Sequence, residues 1–206
     1  METAEQTVYV VDDDEGVCHA LSFFFKAVGV DVKTFLSAEM FLAQDLAQLN
    51  GCLVLDIRIP GMSGLELIEQ LIVRDCDIPV IVMTGHGDVE TVVRAMKSGA
   101  IEFFEKPFDN QQLLGSVRRC MVLNERRRQQ RFRRQAALQQ LARLTPRECE
   151  VMERLVAGKI NKVIAAELNI SVRTVEVHRS RVMEKLEAST LSDIIRIALS
   201  AKSSPP

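Results

Sequence analysis

Four short apolar runs, Val8-Tyr9-Val10-Val11, Cys52-Leu53-Val54-Leu55, Val80-Ile81-Val82-Met83 and Phe103-Phe104, mark the first half of the chain, and each ends close to a polar residue. Uninterrupted apolar stretches of this length read as strands buried on both faces of a sheet. Strands are expected over 8–11, 31–35, 52–56, 80–84 and 101–105, with helices near 15–27, 37–47, 65–73 and 88–98 and another starting near Asp109. Five βα units in succession predict an α/β fold, a five-stranded doubly wound parallel sheet with right-handed crossovers. Gly29, Gly51 and Gly99 fall between a helix and the next strand, where a helix-ending glycine is expected.

The residues that stop the runs are Asp12-Asp13, Asp56, Thr84 and Lys106-Pro107. In an open parallel sheet the carboxyl ends of the strands line one edge, where ligands bind. The pattern therefore gathers three carboxylates, a hydroxyl and an ammonium in one cleft. Carboxylates so placed repel one another unless a cation joins them, and a hard divalent ion such as Mg²⁺ takes a few carboxylate oxygens and keeps room for water and phosphate. Asp56 stands alone at its strand end and is the expected nucleophile toward a phosphoryl group, since an aspartate can form an aspartyl phosphate. Thr84 and Lys106 offer the hydrogen bonding and charge that phosphoryl oxygens need. Asp14 reads as a helix N-cap.

Charge divides the chain. Residues 1–117 hold 7 Lys+Arg and 19 Asp+Glu, a net −12, whereas residues 118–206 hold 19 and 9, a net +10. A basic half of this kind points to nucleic acid or a membrane surface. With 206 residues, 47% of them hydrophobic, the chain can hold one large or two ordinary domains, each able to bury a core. The cysteines at 18, 52, 76, 120 and 149 form no CxxC pair and read as reduced, packed thiols. The N-terminal residues lack a basic and an apolar signal region, and no run approaches a membrane span, so a cytoplasmic protein with no membrane partner is expected. His19 and His86 have no metal-like neighbours in sequence and read as surface or loop residues.

Residues 118–143 carry six arginines between 126 and 134, several glutamines and no Gly or Pro. The preceding helix is expected to continue through them as a linker. A stripe through Leu114, Val117, Met121, Leu138 and Ala142 could pair with a second subunit, but Asn124, Arg128, Arg131 and Gln135 interrupt it, which favours a mostly solvated helix. The arginine run suits phosphates and the acidic half alike. Beyond it, Thr145, Pro146 and Glu148 form a capping-box start, followed by an apolar face at Val151, Met152, Leu155 and Val156, with Gly158 ending the helix. A short helix over Lys162–Leu168, a turn at Asn169-Ile170 and a longer helix from about Ser171 to Glu187 complete a helix-turn-helix. Val175, Val182 and Leu186 share a buried face, so Glu176, Val177 and Ser180 are candidates to read base edges. Lys162, Thr174, Arg179, Arg181 and Lys185 are candidates for phosphate contacts.

The stretches VVDDD, VLDIRIPGMSGLEL, PVIVMTGHGD and AIEFFEKPF resemble, in order over residues 7–117, the receiver domain of two-component response regulators. Residues 144–190 resemble the DNA-binding domain of the LuxR and NarL class, and the whole chain is similar to FixJ-like response regulators. Val163 and Glu176 depart from that class, where many members carry a charged or amide residue and a lysine. The resemblance implies a receiver over 1–117, a helical linker over 118–143 and a DNA-binding domain over 144–206. It implies phosphorylation of Asp56 by a sensor histidine kinase, and Mg²⁺ held by Asp12, Asp13, Asp56 and the carbonyl of Arg58. Thr84 and Lys106 would contact the phosphoryl oxygens, Phe103 would be the aromatic switch, and Lys106-Pro107 would be cis. A homodimer formed on phosphorylation, double-stranded DNA and RNA polymerase are the implied partners. The fourth helix, with Val89, Val92, Val93 and Met96, would supply the dimer face. A phosphohydrolase would need a second acid/base that the sequence does not offer, so a transcriptional regulator rather than an enzyme is expected. Gly85 beside Thr84 leaves little shielding from water, an expectation of fast hydrolysis of the aspartyl phosphate.

Overall fold

The computed structural model describes residues 6–85 and 89–202, and the chain forms two compact units, Met1–Arg127 and Arg128–Pro206. In the first, β1 (Thr7–Val11), β2 (Asp31–Phe35), β3 (Gly51–Asp56), β4 (Val80–Thr84) and β5 (Glu102–Glu105) form one parallel sheet in the order β2-β1-β3-β4-β5. Between and after them run α1 (Glu15–Ala27), α2 (Ala38–Leu42), α3 (Gly64–Val73), α4 (Val89–Lys97) and α5 (Asn110–Leu141). Every residue of β3 and β4 is buried, as their unbroken apolar runs require.

Strand periodicity sorts the core into two layers. Tyr9, Val11, Leu53, Leu55 and Val82 pack with Phe41, Leu67, Leu71 and Ala95 from α2, α3 and α4. Val8, Val10, Cys52, Val54, Ile81 and Met83 pack with Cys18, Leu21, Phe25, Leu113, Leu114 and Val117 from α1 and α5. The five cysteines are free thiols, three of them buried.

Three expectations are corrected. The helix expected over 37–47 breaks into α2 and a separate 3₁₀ turn, Leu46–Gln48, because the Asp45 carboxylate accepts from the Ala47 amide and draws the backbone out of the helix. Gly51 opens β3 rather than ending a helix: its φ is +142° and a Cβ there would lie 1.9 Å from the Thr7 carbonyl oxygen. The apolar stripe on α5 is not free for a partner over its first half. Leu114, Val117 and Met121 are buried in the core of the first unit, and Asn124, one of the residues expected to interrupt the stripe, is 1% exposed and donates to Asn50 Oδ1 at 2.9 Å. Two further bonds hold α5 to the first unit: Gln6 Nε2 donates to the Met121 carbonyl, and Arg127 Nη1 on α5 donates to the Asp77 carbonyl ahead of β4.

The second unit contains the end of α5 with α6 (Pro146–Val156), α7 (Asn161–Leu168), α8 (Val172–Lys185) and α9 (Leu191–Lys202). The capping box of Thr145 and Glu148 starts α6, Asn169 adopts the left-handed conformation that ends α7, and Ser171 caps α8. Val175, Val182 and Leu186 are completely buried, as their spacing predicted. Helix α9 was not anticipated. Thr190 and Asp193 cap it reciprocally, and it buries Ile194 and Ala198.

Candidate functional site

The strand order reverses direction between β1 and β3, and the carboxyl ends flanking such a switch point form the ligand crevice of open α/β sheets. Asp12 follows β1, Asp56 closes β3, Thr84 closes β4, and Lys106 follows β5. Lys106 Nζ lies 2.6 Å from Asp12 Oδ2 and 2.5 Å from Asp56 Oδ2, so it bridges the two strands. Asp12, Asp13 and Asp56 each bring an oxygen within 4.8 Å of the others. Asp12, Asp56 and Thr84 are buried, Asp13 is exposed and Lys106 is half-buried, which leaves the cluster open on one side. The Arg58 amide donates to Asp56 Oδ1 at 2.9 Å and fixes that carboxylate's rotation. Asp14 caps α1, accepting from the amides of Gly16 and Val17. The Lys106-Pro107 peptide is cis.

Three carboxylates around one ammonium leave two negative charges uncompensated, the charge of one divalent cation. Burial raises the Asp12 carboxyl above its ordinary range even though Lys106 opposes it. Burial alone would lower the Lys106 ammonium, but the hydrogen bonds it donates to Asp12 and Asp56 outweigh it and raise the pKa. Cys18, whose Sγ donates to the Asp12 carbonyl, is pushed up to about 11, first by burial and then by the Asp12 charge, and is inert beside the site.

Phe103 pairs in register with Val82 and is half-buried, while Phe104 is buried and meets Phe108 edge-on at 5.9 Å. Val89, Val93 and Met96 are exposed on α4, and Val92 is half-buried. His86 lies outside the described residues, and His19 is exposed.

In the second unit, Glu176, Val177, Ser180 and Arg181 are exposed along α8, and Lys162 is exposed on α7. Thr174 and Arg179 are half-buried, and Thr174 shares a hydrogen bond with the N-cap hydroxyl of Ser171. Lys185 is engaged elsewhere: its Nζ lies 2.7 Å from Oε2 of Glu148, whose side chain is 3% exposed. The Lys185 hydrogen bond and the Thr145 amide hold the Glu148 carboxyl down at about 2.

Residues 8–118 match the response regulator receiver domain, and residues 142–198 match the luxR family of bacterial regulatory proteins. The chain belongs to the response regulators. The transcriptional regulatory protein FixJ of Azorhizobium caulinodans is 43% identical to this response regulator, over 96% of this chain and 94% of that protein. The response regulator protein TodT of Pseudomonas putida is 38% identical, over 99% and 90%. Among solved structures, the response regulator StyR matches with a TM-score of 0.83 at 43% identity, covering 95% of this chain and 99% of StyR. Full-length FixJ from B. japonicum matches with a TM-score of 0.58 at 40% identity, covering 97% and 98%. This response regulator thus carries a receiver followed by a LuxR-type helix-turn-helix domain, and among its described residues no helix is long and apolar enough to cross a membrane.

The acidic cluster and Lys106 were legible at the strand ends. The Glu148–Lys185 pair was not, because its partners are 37 residues apart and each had a sufficient local explanation, one as a helix cap and one as a surface lysine. The Glu39 carboxylate accepts from the Met62 amide in the turn after β3, a contact 23 residues apart that no local motif encodes. The signal for α9 was present as Thr190-Leu191-Ser192-Asp193 ahead of an apolar run, the sequence form of a capping box.

Proposed function

We propose that this response regulator is a phosphorylation-controlled, DNA-binding transcription regulator whose acceptor is Asp56. In the reaction, an Asp56 oxygen forms a bond to phosphorus as the bond from phosphorus to the phosphohistidine nitrogen of a sensor kinase breaks, and the electron pair leaves with the imidazole. The observation that carries the reading is the bridging of Asp12 and Asp56 by Lys106 at the switch point of the sheet. Asp12, Asp13 and Asp56, with the Arg58 carbonyl, would hold Mg²⁺, a fit supported by the two uncompensated charges and the exposed face at Asp13. When bound, the ion neutralises phosphoryl oxygens and orients them for in-line transfer. Lys106, released from part of its carboxylate contact, and the Thr84 hydroxyl then serve the phosphoryl oxygens.

Phosphorylation draws Thr84 inward, Phe103 fills the space behind it, and the exposed apolar face of α4 becomes a homodimer surface. The dimer sets two α8 helices on successive major grooves of double-stranded DNA. Glu176, Val177 and Ser180 face the bases, and Lys162, Thr174, Arg179 and Arg181 face phosphates, with RNA polymerase a further partner at the promoter. The protein has no catalytic turnover beyond hydrolysis of its own aspartyl phosphate. Gly85, exposed and with nothing within 4 Å of a Cβ position, leaves that phosphate open to water.

The test is DNA binding to operator-like palindromes across a salt series, with and without acetyl phosphate and Mg²⁺, for wild type and Asp56→Ala. Tight, salt-sensitive binding by the treated wild type alone is the expected result. Equal binding by both proteins would leave the receiver without control of the DNA-binding domain.

A further inference from the structure

We propose that Glu39 on α2 is a positioning residue for the turn after β3, the turn that supplies the Arg58 carbonyl to the cation. The inference rests on the reading of the acidic cluster as a divalent-cation site. Glu39 is not one of the carboxylates that converge within 4.8 Å, so its role is not that of a ligand.

The turn is fastened at both ends by its own backbone and by its helix. The Ile57 amide donates to the Met83 carbonyl and the Gly64 amide to the Ile57 carbonyl, each at 3.0 Å. Ser63 and Glu66 close a capping box at the start of α3. Between these anchors, Glu39 Oε1 accepts from the Met62 amide at 3.0 Å, a contact reaching across 23 residues of sequence. Gly61 has a φ of +80°, and a Cβ there would stand 3.0 Å from that same oxygen. The carboxylate thus sits against the tip of the turn where a side chain at 61 would otherwise be. Hydrogen bonds from its own amide, the Met62 amide and the Ser37 hydroxyl hold the Glu39 carboxyl below its ordinary range. The clamp is anionic.

Mg²⁺ demands near-ideal ligand placement and gives up water reluctantly. A carbonyl ligand on an unclamped turn would have to be ordered at the moment of binding, which weakens affinity. Glutamine at position 39 keeps an oxygen that can accept from Met62 but removes the charge. Alanine removes both, so the pair of variants separates positioning from the general attraction of a nearby anion.

The experiment is calorimetric titration of Mg²⁺ into the full-length wild type, E39A and E39Q without a phosphodonor, followed by the Mg²⁺ dependence of phosphorylation by acetyl phosphate. E39A is expected to weaken Mg²⁺ binding by about tenfold, the low end for groups that orient a metal's ligands, with E39Q within about twofold of wild type. The Mg²⁺ needed for half-maximal phosphorylation should rise by the same factor, and an unchanged melting temperature separates this result from misfolding. Equal weakening in both variants, or none in either, overturns the proposal. Wild type that binds Mg²⁺ without being phosphorylated would sink the phosphoacceptor reading and still measure the Glu39 clamp. Wild type that binds no Mg²⁺ would overturn both.

Discussion

Lys106 and Lys185 are the same side chain set against buried carboxylates in two separate units. Lys106 is shared between Asp12 and Asp56 with Asp13 close by, and its cluster keeps a negative excess. Lys185 pairs with Glu148, whose Oε2 also accepts from the Thr145 amide, so that pair is balanced in charge. Ionisation registers the difference: burial raises the Asp12 carboxyl, whereas the Lys185 hydrogen bond brings Glu148 to about 2. An acidic cluster with more carboxylates than ammonium groups is one that can take up a divalent cation. A carboxylate held down by a matched partner marks a brace.

The contrast can be broken most severely at Asp56. Asp56→Ala should abolish phosphoryl incorporation from acetyl phosphate, measured by labelled phosphate, and retained incorporation would move the acceptor elsewhere. Lys106→Met should slow incorporation on the order of 10²-fold, the usual cost of losing a charge-stabilising donor. Glu148→Gln, which keeps an oxygen to accept from the Thr145 amide but loses the charge paired with Lys185, should cost the second unit about 2 kcal/mol, read by denaturant unfolding, with Mg²⁺ binding to the receiver unchanged. The pH dependence has a defined sign. The folded pKa of Glu148 lies near 2, against an ordinary 4.5, so its stabilisation is complete above pH 4.5 and is lost as pH falls toward 2. Acid unfolding of the second unit should therefore become less steep in Glu148→Gln across that window. The smallest effect belongs to Asn124→Ala, which leaves the Asn50 carboxamide short of a partner and should cost the receiver about 1–2 kcal/mol in the same unfolding assay.

What the sequence made legible were features written locally. The buried strands announce themselves as apolar runs, the site residues stand at their ends, and the starts of α6 and α8 are spelled by capping residues. What it concealed were contacts between distant segments. Asn124 on a helix of arginines and glutamines reads as solvated, yet Asn50, 74 residues earlier, gives it a buried partner. The break between α2 and the 3₁₀ turn is decided by one Asp45 hydrogen bond against weak helix propensity, a competition too close for residue type alone. The Glu39 contact depends on the fold bringing α2 beside the turn after β3, which no spacing within either segment encodes.

Tyr9 is the chain's single tyrosine, and the chain has no tryptophan. Its hydroxyl accepts from the Asn50 amide at 3.3 Å, and the Asn50 carboxamide in turn holds Asn124 on α5. Tyrosine emission from this protein therefore comes from one buried ring, two hydrogen bonds away from α5. Any loosening of α5 at Asn124 should alter the brightness of Tyr9, giving the protein a native optical gauge of that helix without an attached dye.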